Sequence, residues 1–159
     1  MFRIEPYQPA DLPSVVAFVA AIQEIERASV PELKPGSEIG SDYAGLILGK
    51  AAERDGIVLM ARSRDEAIGF VCAWIETDED PCLREEARRH AYVSDIFVVE
   101  SWWRRGVGRA LLAAIESAMR ERGCRRARLC AKATNLAALK SYAATGYAPY
   151  EVILSKAID

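Results

Sequence analysis

The sequence predicts a mixed α/β fold in which helices pack on a sheet, with residues 1–159 forming a single domain. Two observations lead to this prediction. Short apolar runs of strand character alternate with longer segments of helical apolar spacing, in the order β-α-α-β-β-β-α-β-α-β. The chain shows no internal repeat, linker or second set of apolar segments, and 159 residues are enough to bury one hydrophobic core.

The first half of the chain is predicted to contain three strands and two helices. Asp11 can cap the first helix, which has Pro13 in its first turn. Leu46 and Ile47 are expected on the inner face of the second helix. The predicted elements are strands Phe2–Pro6, Gly56–Arg62 and Ala67–Glu76, a helix from Asp11 to about Ala28, and a helix from Ser41 or Asp42 to about Arg54. The apolar positions of the first helix are Leu12, Val15, Val16, Val19, Ile22 and Ile25.

The second half is predicted to contain a charged segment, three strands and two helices. The segment Thr77–Arg89 is expected to be solvated or partly helical because it is strongly charged. Gly123 and Gly146 are placed to end the two helices as C-terminal caps. The predicted elements are strands Ala91–Val99, Arg126–Ala131 and Tyr147–Leu154, a helix from the turn at Gly106 to Gly123, and the helix Asn135–Thr145. The apolar face of the first of these helices comprises Val107, Leu111, Ala114, Ile115, Ala118 and Met119.

Composition argues against several classes of protein. The formal net charge is −2, which does not favour nucleic-acid binding, and no apolar run approaches the ~20 residues that cross a bilayer. The N-terminal residues lack the apolar centre of a signal peptide. Four cysteines without a C-x-x-C pair, and one histidine, argue against a metal site and predict reduced thiols in a cytoplasmic protein. Cys72 and Cys130 lie in apolar runs and are expected in the core.

The segment Val93–Leu112 is the most informative part of the chain. It places a strand, a glycine turn and an amphipathic helix in succession, so that unpaired backbone amides and the positive end of the helix dipole meet at the turn. This arrangement is typical of a phosphate-binding site. The candidate residues are Arg104, Arg105, Gly106, Val107, Gly108 and Arg109. The alternative is an ordinary turn, since neither the dinucleotide fingerprint nor the P-loop motif is matched here.

Two segments together resemble the GCN5-related N-acetyltransferase (GNAT) family. In that family an apolar triplet, here Phe97-Val98-Val99, precedes Q/R-x-x-G-x-G/A, and Gly106-Val107-Gly108 matches the glycines. The sequence departs from this motif at its first position, which is Trp103. The second signature of the family is N-x-x-A-x-x-x-Y followed by a glycine and an aromatic residue. Its matches are Asn135, Ala138, Tyr142, Gly146 and Tyr147.

The resemblance implies the GNAT fold over nearly the whole chain, acetyl coenzyme A as acyl donor, no metal, and an amine as acceptor. It implies that the main chain of Phe97 and Val99 pairs with the pantetheine arm as an added strand would, at a gap where strand Ala91–Val99 splays from Arg126–Ala131. The amide of Phe97 or Val98 would then polarise the thioester carbonyl.

The resemblance also implies two roles in the Asn135–Thr145 segment. Tyr142 is the candidate general acid, since a phenol held near the sulfur can protonate the thiolate that leaves. Tyr142 is therefore also counted among the donor-binding residues. Its alternative role is that of a core aromatic residue. Asn135 is a candidate for a contact to the donor, and a helix N-cap is the alternative, although the two roles are compatible.

Asp95 is the candidate general base. It shares a strand face with Phe97 and Val99 by the period of two, so it is the carboxylate nearest the expected thioester. An ion pair with an arginine is the alternative for Asp95. Glu76, Tyr92 or a chain of water molecules are alternative bases, whereas His90 is expected at the surface.

The acceptor remains open between a small molecule and a protein. The charged segment and the first two helices are expected to form its binding wall. The acidic residues there favour a cationic acceptor. A non-catalytic acyl-coenzyme A sensor or interaction module is the alternative to an enzyme. Neither a nucleic acid nor a membrane is expected as partner, and the sheet edges allow a homodimer.

Overall fold

The computed structural model describes residues 1–158, which form a five-stranded sheet covered by helices on both faces. The strands are β1 (Arg3–Pro6), β2 (Ile57–Ser63), β3 (Glu66–Thr77), β4 (Arg89–Val98) and β5 (Ala127–Leu129). The helices are α1 (Leu12–Arg27), α2 (Gly36–Glu53), α3 (Glu85–Arg88), α4 (Val107–Glu121) and α5 (Leu136–Ala143). Short 3-10 turns occupy Pro9–Asp11 and Glu100–Trp102. This order confirms the predicted mixed α/β fold in all but its last strand.

The strands lie in the order β1-β2-β3-β4-β5. The first four pair antiparallel, whereas β5 pairs parallel to β4. A parallel pair needs a crossover connection, and α4 supplies it. The glycine turn therefore lies at the end of β4, where the chain leaves the sheet to begin the crossover helix.

Two apolar clusters lie on opposite faces of the sheet. The first contains the buried face of α4, and the second contains the inner faces of α1 and α2. The buried residues of α4 are Val107, Leu111, Leu112, Ile115 and Met119. Four of these five belong to the predicted apolar face, so the spacing identified this helix correctly.

The second helix begins five residues earlier than the sequence predicted at Ser41. Gly36 donates its amide to Glu24 Oε1 on α1 at 2.5 Å, so a carboxylate from another helix satisfies an amide of the first turn of α2. The predicted inner face was half right, because Ile47 is buried whereas Leu46 is 51% exposed. The two helices also approach closely at Gly36, where any Cβ would meet the backbone of Ala20.

Several smaller predictions were wrong. On α1, Leu12 and Ile25 are exposed, and Phe18 lies on the buried face instead. Cys130 is exposed, whereas Cys72 is buried as expected. The prediction that the charged segment 77–89 is solvated or partly helical was confirmed, since it contains the four-residue helix α3.

No strand forms over Tyr147–Leu154, which corrects the prediction of a sixth strand. Residues 147–158 have no ladder partner, and Val152, Ile153 and Leu154 are 74%, 88% and 89% exposed. Pro149 lies inside this segment, and its missing amide hydrogen cannot contribute to a ladder. The apolar β-branched residues gave the segment strand character that the tertiary structure does not use.

No helix among residues 1–158 is both long and apolar enough to span a membrane.

Candidate active site

A β-bulge at Ser94 sets the geometry of the site. Cys72 pairs with Asp95 and the next residue of β3, Ala73, pairs with Val93, so Ser94 is an extra residue on β4. Such a bulge shifts the alternation of side chains by one residue. Consequently Asp95 and Phe97 lie on the same face as Tyr92, toward α1 and α2. Asp95 and Phe97 therefore share a face as predicted, whereas Val99, beyond the end of β4, packs against the apolar clusters on both faces.

Strands β4 and β5 separate after a short ladder, which is the splay that the sequence predicted. The parallel ladder joins β4 to β5 only over residues 91–93, and its last pair is Val93 with Leu129. From Asp95 to Val98 the outer edge of β4 therefore has no partner strand within residues 1–158. On its other side, β4 approaches β3 closely at Gly69, where any Cβ would collide with the carbonyl oxygen of Phe97.

The backbone of Val98, not that of Val99, faces this open edge. The Val99 amide donates to Ile68 O at 3.0 Å and its carbonyl accepts from Trp102 N at 2.9 Å, so both groups are already engaged. Because backbone groups alternate sides along an antiparallel strand, Phe97 faces β3 with Val99, and Val98 faces outward. The expectation that Phe97 and Val99 pair with a donor was therefore wrong by one residue.

Trp103 binds the outward-facing backbone. Its indole Nε1 donates to the Val98 carbonyl at 2.7 Å, while the indole is 51% exposed. The residue that departs from the GNAT motif thus occupies the end of the open edge. The Val98 amide remains the outward-facing donor at this position.

The glycine turn presents unpaired amides. Gly106 has a left-handed φ of 83° and precedes α4, and the first backbone bond of the helix runs from Ala110 N to Gly106 O. Within residues 1–158, no amide of residues 105–109 donates to an acceptor. The side chains of Arg104, Arg105 and Arg109 are exposed around it. The turn therefore has the free amides and positive charge that phosphate binding requires.

Asp95 is buried and is held by a tyrosine from α2. Its relative exposure is 7%, and Tyr43 Oη donates to Asp95 Oδ2 at 3.3 Å. Burial raises the pKa of Asp95 above its ordinary value, while hydrogen bonds from Ser94 and Tyr43 oppose the shift and the negative charge of Glu26 adds to it. No arginine among residues 1–158 pairs with Asp95, so the ion-pair alternative was wrong.

Tyr142 lies on α5 close to the same carboxylate. Burial raises the pKa of Tyr142, and the negative charges of Asp95 and Glu26 raise it further. Its hydroxyl has no hydrogen-bond partner among residues 1–158, whereas the neighbouring Tyr147, at a ring distance of 6.1 Å, donates to Glu116 Oε1 at 2.9 Å. Tyr142 therefore holds a protonated and unengaged hydroxyl near Asp95.

Asn135 is the N-cap of α5, which was the alternative role predicted for it. Its side-chain oxygen accepts from the Ala138 amide at 3.1 Å. The side-chain nitrogen has no partner among residues 1–158. It is the group that is left for a contact to the donor.

The alternative bases are already engaged. Glu76 accepts from the Trp74 indole at 2.9 Å and lies near Arg54. His90 is buried, contrary to the prediction of a surface residue, and its Nδ1 lies 3.0 Å from Arg88 O. Tyr92 is half-buried, and burial is the largest cause that raises its pKa, so it retains its proton.

Two residues near Asp95 were missed by the sequence reasoning, Tyr43 and Glu26. Tyr43 precedes the buried Ile47 by four residues, and this spacing on α2 was the available signal. Glu26 lies near the C-terminal end of α1, 3.9 Å from Lys132 Nζ. No sequence signal connects Glu26 with Asp95, because helix α1 and strand β4 are joined only by the fold.

Asp78, an acidic residue of the charged segment, is not a free carboxylate. Asp78 is paired with Arg128 on β5 at 2.8 Å, which lowers the pKa of Asp78. No group of three or more His, Cys, Asp or Glu within residues 1–158 is placed to hold a metal ion.

Comparison with known proteins identifies the family. The model of the acetyltransferase (GNAT) family matches residues 19–147, which include the glycine turn, Asp95 and Tyr142. The chain belongs to this family. It is accordingly an N-acetyltransferase. No curated protein matches the sequence.

Many solved structures share the fold. A GCN5-related N-acetyltransferase from Ralstonia eutropha JMP134 superimposes with a TM-score of 0.77 at 20% identity, covering 99% of each chain. A putative acetyl transferase from Pyrococcus furiosus gives 0.75 at 24% identity, covering 99% of this chain and 100% of that chain. The aminoglycoside N-acetyltransferase AAC(6')-Iy in complex with CoA gives 0.73 at 21% identity, covering 99% and 95%. At these identities the likeness establishes the fold.

Proposed function

We propose that this GNAT protein transfers the acetyl group of acetyl coenzyme A directly to a primary amine of a small molecule or protein. One observation supports the proposal above all others. The open edge of β4 begins beside Asp95 and Tyr142 and ends at the unpaired amides of the glycine turn. A ligand along this edge would therefore have its anionic end at the turn and its reactive end between an acid and a base.

The turn fits a pyrophosphate. A Cβ at Gly106 would have no atom within 4 Å, and at Gly108 only the Val98 side chain, at 3.9 Å, so the space before the amides is open. The exposed arginines supply the counter-charge. A CoA-bound relative of the same fold, AAC(6')-Iy, supports coenzyme A as the ligand.

Val98 and Trp103 would order the pantetheine arm. The amides of Ile96 and Val98 both face outward on the open edge, and that of Val98 is the candidate to polarise the thioester carbonyl. The Val98 carbonyl is held by Trp103, which fixes the end of the strand where the arm would turn toward the phosphates. Asn135 adds a free amide group at the start of α5.

The environments of Asp95 and Tyr142 support their roles as base and acid, respectively. Acetyl coenzyme A supplies an activated thioester. The amine nitrogen bonds to the acetyl carbon and the carbon–sulfur bond breaks. Asp95 accepts the proton that the nitrogen loses, because its raised pKa strengthens it as a base. Tyr142 donates a proton to the sulfur, because it retains its hydrogen and has no other partner.

Direct transfer agrees with the state of the cysteines near the sheet. Burial raises the pKa of Cys72 to about 12. Its sulfur lies 3.8 Å from Ile47 O, on the face of the sheet that α1 and α2 cover. Burial also raises the pKa of Cys124. Neither thiol is an activated nucleophile, so neither favours an acetyl-enzyme intermediate.

A cationic amine is the acceptor that the charges near Asp95 favour. Asp95 and Glu26 contribute negative charge beside Tyr43 and Tyr142. The aminoglycoside N-acetyltransferases among the structures of this fold are named for acceptors of this class. The choice between a small amine and a protein remains for experiment.

The first experiment is a calorimetric titration of the protein with acetyl coenzyme A. Gly108→Glu places a carboxylate before the amides without a backbone penalty, because Gly108, unlike Gly106, has no positive φ. We expect affinity to fall at least ~10-fold, equivalent to about 1.4 kcal/mol. Gly45→Glu is the matched control, since Gly45 is an exposed helical glycine with no atom within 4 Å of its Cβ position.

An amine panel then separates the two functional classes. Release of free coenzyme A thiol with acetylated product supports the enzyme. Binding by the parent without acetylation of any amine would favour the sensor instead. Absence of binding by the parent would contradict both.

A further inference from the structure

Asp95 is oriented by a residue that neither GNAT signature contains. Tyr43 lies on α2, and its hydroxyl donates to Asp95 Oδ2 at 3.3 Å across the interface between helix and sheet. Ser94, on β4 itself, is the other side chain whose hydrogen bond favours the charged form of Asp95, and its hydroxyl also donates to Cys72 O at 3.5 Å. Tyr43 is therefore the donor that holds Oδ2 from outside the sheet.

Among residues 1–158, the polar and titratable groups that affect Asp95 or are affected by it come from several elements, and none of them is cationic. They are Glu26 on α1, Tyr43 on α2, Cys72 on β3, Tyr92 and Ser94 on β4, and Tyr142 on α5. Lys132 Nζ lies 3.9 Å from Glu26 Oε2. An unpaired carboxylate in such surroundings is costly to ionise. The hydroxyls of Ser94 and Tyr43 therefore stabilise the charged form that a base requires, and Tyr43 is the one that comes from another element.

The ring of Tyr43 is itself fixed by packing. It lies against the apolar cluster that α1 and α2 form with the sheet, so its hydroxyl is delivered by a rigid helix. Burial is the largest cause that raises the pKa of Tyr43, followed by the charge of Asp95. The tyrosine therefore stays protonated and remains the donor in this pair.

We propose that Tyr43 is a positioning residue that holds Asp95 Oδ2 so that Oδ1 points to the amine and accepts its proton. The proposal rests on the proposed function, in which Asp95 is the base. The proton moves from the amine nitrogen to Oδ1, while Tyr43 keeps its own hydrogen throughout.

Tyr43→Phe is the test variant, because it removes one oxygen and keeps the ring. The loss of a hydrogen bond to a charged group raises the pKa of Asp95 by about one unit, since such bonds stabilise the charged form to that extent. The acidic limb of the kcat profile, measured with saturating donor over the whole pH range in which the protein stays folded, should move upward by the same amount. At pH values on the acidic side of the profile, kcat of Tyr43→Phe should be ~10-fold lower than that of the parent. The difference should disappear toward high pH.

Tyr7→Phe is the matched control. Tyr7 packs partly against the same apolar cluster but has no contact with Asp95, so its variant should leave the limb in place. An unchanged limb in Tyr43→Phe would overturn the proposal. A uniform loss of kcat at all pH values, equal in both variants, would also overturn it, because that indicates a structural role alone.

A second measurement separates this proposal from the proposed function. Infrared difference spectra of the parent minus Asp95→Asn report the ionisation of Asp95 without donor or acceptor. The Tyr43→Phe protein should show the carboxyl titrating at higher pH. If the carboxyl shifts but no amine is acetylated, the proposed function fails while the role of Tyr43 in holding the carboxylate stands. If the carboxyl does not shift, the role of Tyr43 fails whatever the activity.

Discussion

Tyr142→Phe separates chemistry from stability at a single oxygen atom. The hydroxyl of Tyr142 has no partner among residues 1–158, whereas that of Tyr147 donates to Glu116 at 2.9 Å. The two rings lie 6.1 Å apart in the same apolar cluster. Removing the first hydroxyl therefore breaks no protein hydrogen bond, and removing the second breaks one.

The expected magnitudes follow from this difference. Tyr142→Phe should change the free energy of unfolding by less than about 0.5 kcal/mol. It should lower kcat by ~100-fold, a typical contribution of a positioned acid, equivalent to about 2.7 kcal/mol in the barrier. Tyr147→Phe should cost about 1 kcal/mol of stability through its lost bond to Glu116, and its kcat should remain close to that of the parent.

The assay combines urea unfolding with the rate of thiol release under saturating acetyl coenzyme A and an amine acceptor. Parent, Tyr142→Phe and Tyr147→Phe are compared at one pH. Full kcat in Tyr142→Phe would refute the assignment of the acid. A loss of kcat that scales with a loss of stability in both variants would also refute it, since the effect would then reflect packing.

Two further predictions concern stability. Burial raises the pKa of Asp95, so the folded state disfavours its charged form. Asp95→Asn should therefore raise Tm near pH 8, and the gain should vanish below about pH 4, where the unfolded carboxyl is also protonated; a gain independent of pH in thermal melts would contradict this. Leu111 is fully buried on α4, and Leu111→Ala should cost about 2–5 kcal/mol in urea unfolding, whereas truncating the exposed Leu46 in the same way should cost under about 1 kcal/mol.

Local patterns were sufficient for the elements whose signals lie within one segment. The glycine turn followed from Gly106 and Gly108 before an amphipathic run, and α4 buries most of the face that its spacing indicated. Asn135 caps α5 as its position suggested. Each of these features depends on backbone geometry and helical periodicity inside about fifteen residues.

The wrong predictions concern features that depend on contacts with another segment of the chain. The start of α2 depends on Glu24 of another helix, which caps Gly36. The missing strand depends on whether β5 has a partner, and within residues 147–154 Pro149 is the local signal that argues against one. Periodicity describes one segment, whereas capping and pairing depend on what another segment provides.

The sequence by itself indicated the family, the glycine turn and the candidate base and acid, Asp95 and Tyr142, because two motifs carry the resemblance that implies them. The tertiary structure decided which groups meet. The bulge at Ser94 turns Asp95 toward α2, and Tyr43 then holds it. The same register makes Val98 the outward residue in place of Val99. A single extra residue in a strand reverses the face of every side chain beyond it, and only the pairing with β3 reveals where that residue lies.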